Sequence, residues 1–256
     1  MILQCIPDYR EAEKWDLTAK KYNLAFEYNE FFNPLVLEDK ELTENIIRTY
    51  ESLGRDMTVD TMHGAFFDIT VGSSDPMIRN ASDYRVRQSL DIASRMGLRG
   101  VVFHTNYLTD FKSVPYRDSW VESNTTYWDN ICSEYPGVNV YLENMFDESP
   151  ELLGRVADNL ANRANFGVCL DIAHAFLSNV ALTDWITTLS PHIRHLHIND
   201  NDKVQDLHLA VGTGKLDWSV LKTEELFLSG PSVLIEVSGM EKLLESLKFL
   251  RSVDFI

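Results

Sequence analysis

Two short spacings in the chain, Asp171-Ile-Ala-His174 and Asp206-Leu-His208, set a carboxylate beside an imidazole. Together these side chains suit Zn²⁺, Mn²⁺ or Fe²⁺ better than the all-oxygen sites preferred by Ca²⁺ or Mg²⁺. In extended backbone, residues two apart face the same side, so Asp206 and His208 are expected to clasp one cation. Either spacing alone arises often by chance, but neither is alone. His63, His104, Glu143, Asp171, His197 and Glu236 each stand at or next to the end of a short apolar, β-branched run. With His174, Asp206 and His208 they make a set that takes five of the seven histidines in the chain. Four carboxylates converging without cations would repel, and some would have to take protons. A divalent-metal site resolves that conflict, and the chemistry is that of a metal-dependent enzyme.

Such a set needs elements that bring distant residues to one place. Short β-branched runs followed by helical periodicity give eight strand candidates: 3–6, 25–28, 58–63, 101–104, 139–143, 166–171, 193–197 and 233–236. Helical stretches lie between them, such as Lys40 to Leu53, with Leu42, Ile46, Ile47, Tyr50 and Leu53 on one stripe, and Ser82 to Met96, with Val86, Leu90 and Ala93. Gly54 and Gly97 follow as C-terminal stops, and Ser149-Pro150-Glu151 reads as an N-cap with proline at the first helical position. Eight strands close a barrel, so the fold class is α/β, a single (β/α)₈ TIM barrel over residues 1–256. In that architecture active sites sit at the C-terminal strand ends, where the chelating residues fall. An open doubly wound sheet is the other architecture weighed, and no G-x-G-x-x-G turn follows the first strand to support its nucleotide-binding form.

At 256 residues, 45% apolar and 24% charged, the chain can bury a large core without staples. Cys5, Cys132 and Cys169 are widely spaced, which disfavours disulfides and zinc ribbons. Asp8, Arg10 and Glu11 precede any long apolar run, and no stretch of 18 apolar residues is present, so the expectation is a cytoplasmic protein without signal peptide or membrane span. Twenty-three basic against thirty-nine acidic residues leave a formal charge of −16, which repels polyanions and counts against duplex DNA.

Other residues read as support. His195 shares the inward face of His197 one layer deeper, and is expected to be structural or to back the ligands. His192, after Pro191, reads as a surface residue, and the five tryptophans as packing. The segment from Thr105 to about Ser119 reads as the longest non-helical connection, with Tyr107, Phe111, Lys112, Tyr116 and Arg117. It is either a substrate lid or an excursion packing its aromatics on the barrel rim.

The sequence resembles the xylose isomerase-like barrels, which include endonuclease IV and many sugar isomerases and epimerases. The resemblance is carried in order by Val-Val-Phe-His104, Val-Tyr-Leu-Glu143-Asn144, Val-Cys-Leu-Asp171-Ile-Ala-His174, His195-Leu-His197-Ile-Asn199-Asp200, Asp206-Leu-His208 with Gly212-Thr-Gly214, and Leu-Ile-Glu236. It implies one of two chemistries. Isomerases and epimerases of this kind use one metal, here on Glu143, Asp171, His197 and Glu236, with the two glutamates moving a proton beside a carbonyl. Endonuclease IV-like members use three zinc ions, and all nine positions they require are filled: His63, His104 and Glu143 for one; Glu143, Asp171, His197 and Glu236 for a second; His174, Asp206 and His208 for a third. The chain departs from the repair enzymes in its acidity and in reading His63-Gly-Ala-Phe66-Phe67 where they carry a Pro-Tyr pair.

The leading expectation is therefore a phosphoester (phosphodiester) hydrolase acting on a small non-DNA substrate, with up to three zinc or manganese ions and Glu143, Glu236 and His174 catalytic. The alternative is a sugar or sugar-phosphate isomerase or epimerase using one ion and the Glu143/Glu236 acid–base pair. A non-catalytic metal-binding barrel is the third class, and oligomeric state stays open.

Overall fold

A computed structural model describes residues Met1–Ile256. Eight parallel strands close on themselves in chain order: β1 Ile2–Cys5, β2 Leu24–Tyr28, β3 Thr61–His63, β4 Gly100–His104, β5 Asn139–Glu143, β6 Phe166–Asp171, β7 Ile193–Ile198 and β8 Ser232–Ile235, with β8 pairing back to β1. The helices are α1 Ala12–Tyr22, α2 Pro34–Glu38, α3 Lys40–Glu51, α4 Pro76–Met96, α5 Val114–Glu134, α6 Glu151–Asn159, α7 Ile172–Leu177, α8 Leu182–Leu189 and α9 Met240–Ser252. Closure excludes the open doubly wound sheet.

Because side chains alternate across a strand, each strand feeds two different interiors. Phe26, Met62, Phe103, Leu142, Leu170, Leu196 and Val233 join the large apolar core that also holds Ile46, Leu90, Trp128 and Leu247 of the helices. Their neighbours in the strands face the lumen, which is unusually polar: Gln4, Glu27, Thr61, His195 and Ser232 are all fully buried there. His195 stacks on Tyr141, with ring centroids 5.4 Å apart and planes 18° apart. The strand registers then align the last inward residues. His104 is paired with Glu143 across β4 and β5, and Asp171 with His197 across β6 and β7.

Several sequence expectations change at their edges. The third strand begins at Thr61 rather than residue 58, because the Asp56 side chain accepts from Thr58 N at 3.1 Å and holds Met57–Val59 as a 3₁₀ turn. Helix α4 starts at Pro76, six residues before the expected start at Ser82, since Asp75 caps it through Met77 N. Pro150 is itself the cap residue of α6, not its first helical position. Gly54 and Gly97 do take positive φ, 62° and 67°.

The connection after β4 is also shorter than read. Helix α5 begins at Val114, where Pro115 fits the first turn, so the non-helical segment ends at Ser113. Tyr107 stacks on Tyr116 at 5.5 Å, and Phe111 meets Tyr116 edge-on at 5.1 Å, so these aromatics pack on one another. The longest connection without regular helix is instead the one from β7, residues 199–217, and it carries Asp206 and His208.

Gly64, directly after His63, has no room for a side chain: an added Cβ would sit 2.3 Å from the Phe103 ring. Gly64→Ala is expected to destabilise the protein by about 1–3 kcal/mol through overpacking, measured as a lower urea midpoint at unchanged slope. A variant as stable as the parent would show that the β3 end has slack.

Candidate metal centre

All nine chelating side chains reach the C-terminal mouth of the barrel, in three groups. In each group, one ligand atom from every residue lies within 4.8 Å of the others. The first joins the ends of β3, β4 and β5: His63 Nε2 and His104 Nε2 lie 3.5 and 3.2 Å from Glu143 Oε2. The second contains Glu143, Asp171, His197 and Glu236, with His197 Nδ1 3.1 Å from Glu143 Oε1 and 3.5 Å from Glu236 Oε2. In the third, Asp206 Oδ2 lies 3.2 Å from His174 Nε2 and 3.1 Å from His208 Nε2. Glu143 turns one oxygen to each of the first two groups.

Three of the five imidazoles, His63, His174 and His208, are held so that one nitrogen is anchored and the other faces the cluster. Carbonyl oxygens of Gly64, Asn144 and Glu236 contact Nδ1 of His63, His174 and His208 at 3.0, 2.9 and 3.1 Å. A carbonyl only accepts, which assigns a proton to Nδ1 and makes Nε2 the nitrogen that would meet a metal. The carboxylates are oriented too. The Asn144 side chain accepts from the Asp171 backbone N–H at 2.9 Å and donates to its carbonyl at 3.0 Å, Asp171 Oδ1 accepts from His174 N at 2.7 Å, and Asn199 Nδ2 donates to Glu236 Oε2 at 3.1 Å.

Within this shell, buried donor atoms stand without hydrogen-bond partners: His63 Nε2, both oxygens of Glu143, His197 Nδ1 and Asp206 Oδ1. An unsatisfied buried polar group costs about 1–3 kcal/mol, and more when charged, so several in one spot call for something that binds them all. Divalent cations meet that demand, and imidazole plus carboxylate is the donor chemistry of zinc-type ions.

Electrostatics point the same way. Burial pushes Asp171 up, and Glu236 and Glu143 add to this against the attraction of His174, leaving it at about 7. Burial disfavours the charged form of His208, but Glu236 and Asp206 override it and raise its pKa to about 10. Burial likewise opposes ionisation of Glu143, yet His197 and His104 hold it well below the usual carboxylate range. Without cations, protons on the imidazoles carry the compensating charge.

The segment holding the third group is pinned from within. Asp200 accepts from the backbone N–H of Asn201, Gly212 and Leu216 and from the Trp218 indole, at 2.9, 3.1, 3.1 and 2.8 Å. Gly214 leaves the space this needs, since a Cβ there would meet Asp200 Oδ1 at 2.3 Å. Asn201 ties the loop to α7 through Ala173 O at 3.0 Å. His208 has φ 44°, so Asp206 and His208 converge through a left-handed turn and not through the extended backbone expected from their spacing.

Reading of the sequence overlooked one residue, Glu27. Fully buried in β2, it places Oε1 3.2 Å from His197 Nε2 and Oε2 2.9 Å from His195 Nε2, and accepts from Thr61 at 2.6 Å. The available signal was a lone acid in the apolar run Leu24–Tyr28. His195 is confined to this support network, with its other nitrogen 2.7 Å from Ser232 Oγ. Cys169, His195 and His197 also lie close together, but burial keeps the Cys169 thiol protonated and His195 has both nitrogens engaged. His192 is half-buried beside Asp158, with Nε2 2.8 Å from its carboxylate. Three cations are engaged elsewhere: Lys112 pairs with Glu148, Arg117 with Glu151, and Lys203 lies over the Phe176 ring.

The chain belongs to the xylose isomerase-like TIM barrel family, whose model matches residues 19–253. Among its relatives, an uncharacterized Methanocaldococcus jannaschii protein, MJ1614, is 29% identical over 64% of this chain and 64% of its own length. A second relative from that organism is matched over 56% of its length, so the chain covers less than two thirds of either. A Mycobacterium leprae protein named probable endonuclease 4 is 27% identical over 72% of this chain and 74% of its own. Among solved structures, the TTHB071 protein of Thermus thermophilus, soaked with ZnCl₂, superposes with TM-score 0.71 at 24% identity, covering 99% and 98% of the two chains. A D-tagatose 3-epimerase-like protein superposes with TM-score 0.76 at 19% identity, covering 98% and 96%. Both structures share the fold.

Glu27→Gln is expected to weaken zinc affinity about 10–100-fold by loosening His197, read by chelator competition; unchanged affinity would remove Glu27 from the support of the site. His208 sets the sign of the pH dependence. Its raised pKa stabilises the metal-free fold fully below its ordinary 6.5, and that contribution is lost as pH rises through about 10. Zinc must displace this proton and the one that His174, also raised, retains, so affinity at the third group should rise at least about tenfold per pH unit from pH 6 to 8, with proton release in calorimetry. Affinity independent of pH would contradict it.

Proposed function

We propose that residues 1–256 form one catalytic domain that hydrolyses a phosphoester, by preference a phosphodiester, in a small non-DNA substrate with up to three zinc-type ions. The observation carrying this is the convergence of all three donor groups with unpartnered buried atoms facing inward. A one-metal reaction on Glu143, Asp171, His197 and Glu236 would leave no reason for His63, His104, His174, Asp206 and His208 to be gathered and aimed there.

Divalent ions held in the three groups would supply Lewis acidity to the phosphoryl group and a nucleophile from water near neutral pH. The chain's own part is positioning. Glu143, with one oxygen toward each of two groups, fixes their separation. Glu236, bonded to Asn199 and 3.5 Å from His197, orients the second group from the β8 side. His174 is aimed at the third group: its Nδ1 is held by the Asn144 carbonyl while its Nε2 faces Asp206. Bond formation to phosphorus and departure of the leaving oxygen then need no protein nucleophile. The formal charge of −16 argues for a small substrate over duplex DNA, and the absence of a membrane-length apolar helix is compatible with action in the cytoplasm.

His174→Ala and His208→Ala should each lower hydrolysis of bis(p-nitrophenyl) phosphate by the zinc- or manganese-loaded protein about 100-fold or more. Full activity in either variant would remove the third group and this reading together.

A second reading is favoured by the likeness to an epimerase-like structure and by Glu143 and Glu236 both approaching His197 Nδ1. It is sugar or sugar-phosphate isomerisation or epimerisation, with those glutamates as acid and base. It predicts solvent deuterium at a substrate C–H in a ketose panel, lost in Glu236→Gln; a panel free of deuterium uptake would exclude it.

A further inference from the structure

The aromatic rim of the mouth bears on what the substrate carries beside its phosphoryl group, and this inference rests on the phosphoester reading. Phe66 packs directly on the first metal group, its ring centroid 4.4 Å from that of His104 and 5.3 Å from that of His63. Phe67 stands edge-on to Phe66 at 4.1 Å and is 63% exposed, and Phe32 lies 5.4 Å from Phe66 and 6.5 Å from His63. These three rings open into a groove of about 570 Å³ that Pro34, Leu37 and Tyr84 continue away from the metal centre. Across the mouth, Phe146 lies 5.4 Å from the His174 ring and is 54% exposed.

Large aromatic side chains left in water beside a polar centre mark a binding surface, because a monomer gains nothing from exposing them. The groove's charges do not invite an anion. Its one cation, Arg85, bonds Gln88 at 2.9 Å and Glu38 at 2.7 Å, and Asp68 adds a negative charge. Charge on the substrate is therefore handled at the metal groups alone, and whatever extends past them meets rings set at 47° and 88° to one another. Such a corner receives a flat ring by stacking on one face and edge contact with another. A hydroxylated chain would meet mainly apolar lining there, with Asn33, Asp68, Tyr84 and Arg85 the polar side chains of the groove.

We infer that the substrate is a phosphoester bearing a planar apolar or aromatic group, and that Phe66, Phe67 and Phe32 bind this group in the groove next to His63 and His104. Continuity of Phe66 with the metal ligands is what ties the groove to the reaction rather than to a protein partner.

The test compares phenylphosphonate with methylphosphonate, neither of which is hydrolysed, binding to the zinc-loaded full chain in calorimetry. Phenylphosphonate should bind about tenfold more tightly or better. In Phe67→Ala, whose side chain is mostly exposed, and in Phe66→Ala, that ratio should fall toward unity while methylphosphonate affinity holds, which shows the metal groups intact. Equal binding of the two phosphonates by the parent overturns the inference and leaves the phosphoester reading standing. Failure of both to bind overturns the phosphoester reading and this inference with it. A preference that survives in both variants, or variants that change self-association in sedimentation and not the ratio, would place another occupant on the rings and also overturn it.

Discussion

Four carboxylates and five imidazoles share the mouth of this barrel, most of them out of contact with water, and the electrostatics of that gathering governs the rest of the design. Unpaired carboxylates at such spacing cannot all stay ionised in a low-dielectric site. Asp171 raised to about 7 beside an ionised Glu143 is the visible sign of the conflict. The barrel does not relieve it with lysine or arginine. Lys112 and Arg117 are spent on the surface carboxylates Glu148 and Glu151, Lys203 lies over Phe176, and Lys242 is bonded to the His208 backbone carbonyl. What it supplies is imidazole, a group that trades a proton for a metal ion.

Holding that arrangement places demands on layers well below it. The lumen, which in many barrels is filled with branched apolar side chains, here carries Gln4, Glu27, Thr61, His195 and Ser232 in a connected hydrogen-bond network. Glu27 is the hub, with one oxygen toward His197 and the other on His195. A buried carboxylate of this kind is tolerable only because both imidazoles face it, and they hold it well below its ordinary range against the effect of burial. Each layer thus compensates the charge of the next, and a change in the lumen is felt at the mouth.

The third group shows a different solution. Asp206 and His208 come from a loop of nineteen positions, 199–217, without helix or strand of its own, and a ligand from such a segment must be fixed by internal bonds. Asp200 does this, gathering three backbone donors and an indole, while Lys242 reaches from α9 to His208 O at 2.8 Å. Asp206 and His208 remain the most exposed of the nine, so the third group is the one most open to solvent.

The eight strands and the nine candidate metal-ligating residues were legible in the sequence, because strand periodicity and residue types able to bind a metal are local properties. Parallel closure puts inward residues at the end of each strand on one edge, so recognising eight strands was enough to predict that His63, His104, Glu143, Asp171, His197 and Glu236 meet. Other features depended on neighbours distant in the chain. Glu27 looks like an interruption of an apolar strand until His195 and His197, far along the chain, are packed against it. The convergence of Asp206 with His208 uses a left-handed residue that no two-residue spacing discloses. The start of α5 at Val114 and the mutual packing of Tyr107, Phe111 and Tyr116 follow from contacts across a loop that reads as featureless polar and aromatic residues. Local chemistry marked which residues could hold a metal; only the packed barrel decided which atoms face each other, because that depends on register, burial and the partner each side chain finds on another strand.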